Sequence, residues 1–296
     1  MFDNILGNNQ IKKMLEQAII NKKISHSYLM IGTSGIGKKM LAIEFAKNIL
    51  CISEKHSCGI CKSCIEFEGK NNPDFFNIEP EGNCIKIEQI RQLQKSIQEK
   101  PIISGKKVYI INDADLMTKE AQNCLLKTLE EPPEFATLIL IGSNENAFLA
   151  TIKSRCMILH FLPIEDAEIK SYLTEKYEVK EVTQNMLYLF QGSIGKAIIL
   201  KDKYEEYSKL EKFINSLSEN DLIDTIKNAE ILYKSKEEIL EMLDYINIIL
   251  LKKAKEDNRY TKCIQNVEET KKRIKQNANY DMSIDNMVLN IWEEVN

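Results

Sequence analysis

Short apolar runs alternate with amphipathic stretches along the first 160 residues of the chain. The apolar runs have the length and residue types of buried strands; they are SYLMIG (27–32), FFNIEP (75–80), KVYIIN (107–112), TLILIG (137–142) and MILHFL (157–162). Helical patterns lie between them, among them 37–50, 86–99 and 115–131. Strands that alternate with helices predict a parallel sheet covered by helices on both faces.

The β pattern stops after Pro163, and the rest of the chain has helical periodicity. The predicted helices are 165–177, 183–191, 194–201, 203–217, 235–256, 260–277 and 283–294. The fold class is therefore α/β followed by all-α. We predict an α/β domain over 1–163, a small helical lid over 164–203 and a C-terminal helical domain over 204–296.

The stretch GTSGIGKK matches a phosphate-binding loop except at its last residue. The pattern is G-x-x-x-x-G-K followed by Ser or Thr, but Lys39 stands where the hydroxyl that contacts Mg²⁺ belongs. The loop leaves a predicted strand and enters a helix, so backbone N–H groups and Lys38 would face phosphate oxygens. The alternative is a glycine-rich turn without a ligand. The candidate nucleotide-binding residues are Gly32, Thr33, Ser34, Gly35, Ile36, Gly37, Lys38 and Lys39.

A second departure lies in VYIINDADLMT (108–118). In P-loop enzymes an acidic residue at the end of such a strand holds Mg²⁺, but this strand ends in Asn112-Asp113. If the motif starts one residue later, Asp113 and Asp115 are the acids instead. Taken with Lys39, this departure predicts that nucleotide can bind but is not hydrolysed.

Four cysteines crowd into one short segment, with the spacing C-x₆-C-x₂-C-x₂-C. They are Cys51, Cys58, Cys61 and Cys64. This spacing suits a closed tetrahedral Zn²⁺ site, and we predict a zinc module over about residues 51–66. His56 is a reserve ligand. The alternative is thiol exchange by CGIC, which would not need the two flanking cysteines.

The composition, with 44% hydrophobic and 28% charged residues, is that of an ordinary soluble globular protein. A net charge of −4 argues against a generally basic surface that binds nucleic acid. The N-terminus lacks the basic-then-apolar order of a signal peptide, and no apolar run approaches the ~18 residues that cross a bilayer. We therefore expect a cytoplasmic protein with no membrane partner.

Three further stretches have ordinary structural explanations when each is taken alone. LLKTLEEPP (125–133) is an amphipathic helix stopped by two prolines. SRC (154–156) places an arginine before a strand, where a structural ion pair is the usual explanation. GSIGKA (192–197) fits a turn between helices. Their order along the chain is more informative than any one of them.

ILGNNQ, GTSGIGK, the four cysteines, LLKTLEEPP, TLILIG and TIKSRC follow one another in that order. The order resembles the clamp-loader subunits of bacterial DNA polymerase III, which are AAA+ proteins. The resemblance is dense over 1–163 and extends loosely through GSIGKA into the C-terminal helices. It implies a P-loop AAA+ domain with an inserted zinc module, a helical lid and a C-terminal collar domain.

The resemblance also bears on hydrolysis. Motor subunits of this family have a complete phosphate loop, an Asp-Glu motif and an arginine in the lid turn, whereas another subunit has degraded nucleotide chemistry. Lys39, Asn112-Asp113 and Gly195, which aligns with the lid arginine, are similar to the second kind. The resemblance therefore implies that ATP or ADP is at most bound without turnover, and that the chain has no intrinsic ATPase.

The family's SRC arginine works in trans on the γ-phosphate bound by a neighbouring subunit, which implies an arginine-finger role for Arg155. The implied partners are motor subunits of the gamma/tau type and delta subunits, with the sliding clamp and primed DNA reached through the complex. The implied function is ATP-dependent clamp loading during DNA replication.

Two other functions remain open from the sequence alone. An active AAA+ motor, either the loader's ATPase or a branch-migration helicase, predicts ATP turnover by the isolated chain. A zinc-dependent nucleic-acid-binding module predicts tight, salt-dependent binding of DNA by the chain alone.

Overall fold

The computed structural model describes residues 1–53, 57–179, 182–218, 221–234 and 236–296. Its backbone forms two compact units, Met1–Glu168 with Ser193–Gly195, and Ile169–Gly192 with Lys196–Asn296. The first unit is α/β and the second is helical, which confirms the predicted change of class along the chain. The finer division into domains at residues 163 and 203 stays a prediction.

A five-stranded parallel sheet forms the centre of the first unit, and its strands fall on the five predicted runs. They are β1 (Ser27–Ile31), β2 (Phe75–Ile78), β3 (Lys107–Ile111), β4 (Ala136–Gly142) and β5 (Met157–His160). Their order across the sheet is β2-β3-β4-β1-β5, and all neighbouring pairs are parallel. Strands β1, β3 and β4 are buried along their whole length, as a parallel sheet covered on both faces requires.

Helices pack on both faces of this sheet. They are α1 (Asn9–Ile20), α2 (Lys38–Leu50), α3 (Lys62–Glu68), α4 (Ile87–Ile97), α5 (Lys119–Glu130) and α6 (Ala150–Lys153). Tyr28 and Met30 of β1 belong to the core formed with α1 and α2, whereas Leu29 and Ile31 belong to the core formed with α4 and α5. Successive side chains of a strand point to opposite faces, so one strand serves both cores.

The predicted helical stretch 115–131 is in two parts. A 3₁₀ turn covers Ala114–Leu116, and α5 starts only at Lys119. Thr118 accepts a hydrogen bond from the backbone N–H of Ala121, so the new helix has its own N-cap and the two parts cannot merge. Helix α3 was not predicted from the sequence.

The carboxyl ends of the parallel strands meet at one edge of the sheet, where α/β proteins place their ligand sites. The phosphate loop follows β1 directly, and Glu79 follows β2. Asn112 follows β3, and Ser143 follows β4. The phosphate loop and Asn112, which the sequence singled out for nucleotide chemistry, therefore lie along one edge together with Glu79 and Ser143.

The second unit consists of packed helices. They are α7 (Asp166–Tyr177, whose first turn belongs to the first unit), α8 (Gln184–Phe190), α9 (Ile194–Leu200, which begins at the edge of the first unit), α10 (Tyr204–Ser216), α11 (Leu222–Asn228), α12 (Glu230–Lys234), α13 (Ile239–Ala254), α14 (Arg259–Lys275) and α15 (Tyr280–Val295). Helix α13 packs against α8, α10 and α14. It corresponds to the predicted helix 235–256, whose first residue lies outside the described residues. Within the described part of the chain, no helix is long and apolar enough to cross a membrane.

Candidate functional site

The phosphate loop connects β1 to α2 with the backbone shape that its glycines permit. Gly35 and Gly37 have φ of 78° and 95°, in the left-handed region that other residues adopt at a cost. Thr33 and Ser34 are exposed at the top of the loop, and Ile36 is buried beneath it. The predicted loop is therefore formed, with its exposed side at the carboxyl edge of the sheet.

The first lysine of the motif lies inside the loop. The Nζ of Lys38 donates hydrogen bonds to the carbonyl oxygens of Gly32, at 2.5 Å, and Thr33, at 2.7 Å. Burial lowers the pKa of Lys38, although the nearby carboxylates of Asp115 and Asp113 act in the opposite direction. The ammonium group is thus directed into the loop, and it would have to release these carbonyls to reach a phosphate.

The second lysine, Lys39, makes an ion pair across the carboxyl edge of the sheet. Its Nζ lies 2.6 Å from Oε1 of Glu79, and the same oxygen accepts a hydrogen bond from Asn77 at 2.9 Å. The hydrogen bond from Lys39 is the main reason that the pKa of Glu79 is lowered. A cationic side chain is therefore bound to a carboxylate where a motor would place a hydroxyl next to Mg²⁺.

The residues that follow β3 also make hydrogen bonds to other residues of the first unit. The backbone N–H of Asn112 donates to Ile78 at 2.9 Å, so Asn112 continues the β2–β3 pairing and holds the strand-end position. Its side-chain amide donates to Asp113 Oδ2 at 2.7 Å. One oxygen of Asp115 accepts the backbone N–H groups of Ser143 and Asn144, both at 3.1 Å, and so stabilises the turn after β4.

The segment Ser193–Gly195, where the resemblance to motor subunits would place a lid arginine, lies directly on the phosphate loop. The N–H of Gly195 donates to the carbonyl of Gly35 at 2.9 Å. A Cβ atom built on Gly195 would lie 2.9 Å from the Cα of Gly35, and one built on Gly35 would lie 2.3 Å from Oγ of Ser193. Since real Cβ atoms do not approach so closely, this arrangement has no room for an arginine at Gly195.

The four predicted metal ligands come together in one cluster. The Sγ atoms of Cys51 and Cys61 are 3.9 Å apart, and the four sulfurs all lie within 4.8 Å of one another. Sulfurs bound tetrahedrally to zinc at about 2.3 Å lie about 3.8 Å from one another, so the donor set fits a closed four-thiolate site. The reserve ligand, His56, lies outside the described residues.

Backbone N–H groups donate hydrogen bonds to two sulfurs of this cluster, those of Cys58 and Cys61. Cys61 caps α3 and accepts from the N–H of Cys64 at 3.4 Å, and its own N–H donates to Sγ of Cys58 at 3.4 Å. Burial opposes the charged form of Cys61, but hydrogen bonds from Cys64 and Ile52 bring its pKa down to about 6. Burial raises the pKa of Cys64 to about 12. A cation at the cluster would compensate for the burial of its thiolates.

A polar chain joins the cysteine cluster to the sheet. Oγ of Ser63, in the first turn of α3, lies 2.8 Å from Oγ of Ser104, in the loop that precedes β3. The buried carboxylate of Asp74 accepts the backbone N–H groups of Ile102, Ile103 and Ser104, each at 2.7 Å. The segment that carries the cysteines is therefore hydrogen-bonded to a loop whose backbone is in turn held by Asp74.

Arg155 lies between the short helix α6 and β5, with a third of its side chain exposed. Its Nη2 lies 2.8 Å from Oε1 of Glu130, and its Nη1 donates to the carbonyl of Thr151 at 2.9 Å. The ordinary structural explanation of SRC, an ion pair, is thus satisfied within this chain. The exposed part of the guanidinium leaves the in-trans role open as well.

Two carboxylates of these contacts, Glu79 and Glu130, were not predicted from the sequence. Both lie in stretches that the sequence singled out, FFNIEP and LLKTLEEPP, but their partners are 40 and 25 residues away. A charged residue next to the end of a predicted strand or helix was the available signal. The ends of parallel strands converge at the carboxyl edge of the sheet, as at Glu79, whereas the ends of the helices converge with the starts of the strands at the opposite edge, as at Glu130.

Comparison with known proteins places the chain in a family. A family model described as DNA polymerase III, delta subunit, matches residues 7–165. The delta-prime subunit of Bacillus subtilis is 33% identical over 77% of this chain and 65% of its own length. The Pseudomonas aeruginosa delta-prime subunit is 38% identical over 45% of this chain and 42% of its own length. The Haemophilus influenzae tau/gamma subunit is 30% identical over 68% of this chain.

Each match spans less than two thirds of the relative's length, and only 30% of the tau/gamma subunit. Among solved structures, a gamma subunit-related protein of DNA polymerase III from Thermotoga maritima superposes with a TM-score of 0.52 at 18% identity, covering 95% of this chain and 99% of that one. This shared fold agrees with the predicted architecture of an α/β domain on a parallel sheet followed by a C-terminal helical region. Because the family model matches more than half of the chain, the chain belongs to the delta-prime family of DNA polymerase III clamp-loader subunits.

Proposed function

We propose that this chain is the non-hydrolysing delta-prime subunit of a clamp loader, which supports ATP-dependent loading of the sliding clamp onto primed DNA. Its partners are gamma/tau-type motor subunits and a delta subunit, and it reaches clamp and DNA through the complex. Relatives that are named as delta-prime, tau and gamma subunits of DNA polymerase III support this assembly.

The observation that carries the proposal is a contrast between the chain's own nucleotide site and its arginine. In the chain's own nucleotide site, Lys39 is ion-paired with Glu79, and Gly195 lies against the phosphate loop. Arg155 is intact and partly exposed. A chain that has an arginine finger, but lacks in its own nucleotide site the groups that position Mg²⁺, is suited to act on a neighbour's ATP.

Within the assembly, Gly32 to Lys39 would hold ATP or ADP without turnover, and Lys38 is the residue that would contact the phosphates. The cysteine cluster, Cys51, Cys58, Cys61 and Cys64, would hold zinc. Zinc in a closed four-thiolate site is structural, since no coordination position is left for a substrate. Its contribution is to fix the segment between α2 and α3.

We expect the isolated chain to hydrolyse ATP no faster than background. Lys39 supplies no hydroxyl for Mg²⁺, and Asn112 has a neutral amide where a motor has a carboxylate. Phosphate release is measured with excess ATP and Mg²⁺, with a Lys38→Ala variant as the control. Steady turnover that disappears in the Lys38→Ala variant would identify the chain as an active motor instead.

The function is tested by reconstitution. The chain is mixed with the motor subunit, the delta subunit, the clamp and primed DNA of the same organism, and ATPase is measured with each component left out in turn. We expect DNA-stimulated ATPase and clamp loading to require this chain. Tight, salt-dependent DNA binding by the chain alone, with no effect on the motor, would indicate the nucleic-acid-binding alternative.

A further inference from the structure

An ion pair joins two motifs that the sequence presents separately. LLKTLEEPP and SRC are 20 residues apart along the chain, and the proposed function uses only SRC. Glu130 is the last residue of α5, which stops before Pro132 and Pro133 because a proline cannot continue the helix. The helix end therefore sets the position of Glu130, whose Oε1 lies 2.8 Å from Nη2 of Arg155.

The guanidinium of Arg155 is held on two sides. Glu130 binds Nη2, while Nη1 donates to the carbonyl of Thr151 at 2.9 Å and to Oγ of Ser154 at 3.2 Å. The carbonyl end of α5 carries a partial negative charge, which adds to the attraction. The arginine side chain is nevertheless 34% exposed and the glutamate side chain 48% exposed, so solvent reaches both partners.

We propose, on the basis of the arginine-finger function above, that Glu130 is a positioning residue for Arg155. It holds the guanidinium at one place on the surface of the first unit until charge shifts onto the transferring phosphoryl group of a neighbour's ATP. An unrestrained arginine samples many rotamers, and fixing its planar head beforehand reduces the entropy lost when it engages that charge in the transition state.

The exposure of the pair explains why the arginine can be released. A half-exposed ion pair contributes little to folding stability, so exchanging it for another anion costs little. A triphosphate carries more negative charge than one carboxylate and offers several oxygens to the same donors. Glu130 can therefore orient the finger without retaining it.

The test uses the reconstituted complex with ATP and primed DNA. We expect Glu130→Gln, which keeps the shape of the side chain and removes its charge, to lower kcat of the adjacent motor site, measured in the first turnover, about fivefold, which corresponds to about 1 kcal/mol. The KM for ATP should change by less than about twofold, because the contact acts when charge shifts in the transition state. The neighbouring exposed residue offers a matched control, Glu131→Gln, which should leave both constants unchanged.

A double-mutant cycle separates positioning from a merely structural role. In an Arg155→Ala background, Glu130→Gln should cause no further loss of kcat, since it acts only through the arginine. If Glu130→Gln lowers the rate equally with and without Arg155, or leaves it unchanged while Arg155→Ala is impaired, the positioning role is wrong and the finger stands. If Arg155→Ala itself retains full activity in an assembled complex, the proposed function fails, and the positioning role fails with it.

Discussion

An Arg155→Ala variant should reduce ATP hydrolysis at the adjacent motor site on the order of 10³-fold, with parallel loss of clamp loading. As a finger, the guanidinium would stabilise negative charge that shifts during phosphoryl transfer, and a side chain that ends at Cβ cannot do so. Pre-steady-state hydrolysis by the reconstituted complex is the suitable measurement, because its amplitude counts the sites that still hydrolyse ATP in the first turnover. One site fewer should react in the first turnover.

The same variant should fold and assemble normally. The ion pair with Glu130 is half-exposed and is worth roughly 0–1 kcal/mol, so the melting temperature of the isolated chain should change little. Lys153→Ala is a matched control, since it removes a cation of the same segment that pairs with Glu145 at 3.7 Å. That control should leave hydrolysis unchanged.

The two explanations of Arg155 make opposite predictions for this experiment. If the arginine is only a structural ion-pair residue, its loss costs at most the roughly 0–1 kcal/mol of the half-exposed pair, and the complexes that assemble keep full ATPase. If it is a finger, stability is retained and hydrolysis is lost. Measuring melting temperature, assembly and ATPase on one preparation therefore decides between them.

Much of the α/β architecture was predictable because burial leaves a strong signal in sequence. Strands β1, β3 and β4 are covered on both faces, so each contains a continuous run of apolar residues. The cysteine cluster was predictable for a similar reason, since metal ligation restricts both residue type and spacing. Helix α3 was missed because its seven residues are too few for a helical period to be evident.

The contacts that define the site could not be predicted in the same way. Lys39 was evident as a departure from a motif, but its partner Glu79 is 40 residues away and depends on strand order. The close approach of Gly195 to Gly35 involves two backbones without side chains, which leave no pattern in sequence. Both contacts join segments that are far apart in sequence, so they depend on how the strands and loops pack in the folded chain.

Removing zinc from the purified chain should release about one metal ion and unfold the segment around the cysteines. Chelation of structural zinc removes folding free energy directly, ~10–16 kcal/mol in isolated zinc-finger peptides. We expect a smaller loss here, on the order of 5 kcal/mol, because Ser63, Asn72 and Asp74 still attach the segment to the rest of its unit. Metal analysis of protein prepared without chelator measures the stoichiometry.

Single cysteine substitutions test the ligand set more sharply than chelation. Cys61→Ser should abolish tight zinc binding, because it removes one of the four thiolate ligands. Cys84→Ser is the matched control, because this half-buried cysteine lies outside the cluster and should keep one zinc per chain. Zinc content and the number of thiols that react with a labelling reagent should change in opposite directions.

The pH at which zinc leaves gives an independent check. A metal-bound thiolate must be protonated before it dissociates, so affinity should fall as the pH is lowered and thiols compete with zinc for protons. Hydrogen exchange should then rise first in residues 51–66, while the amides of β1, β3 and β4 remain protected. Metal-free protein with four freely labelled thiols, or with a disulfide between Cys58 and Cys61 in place of metal, would contradict the zinc site and favour thiol exchange.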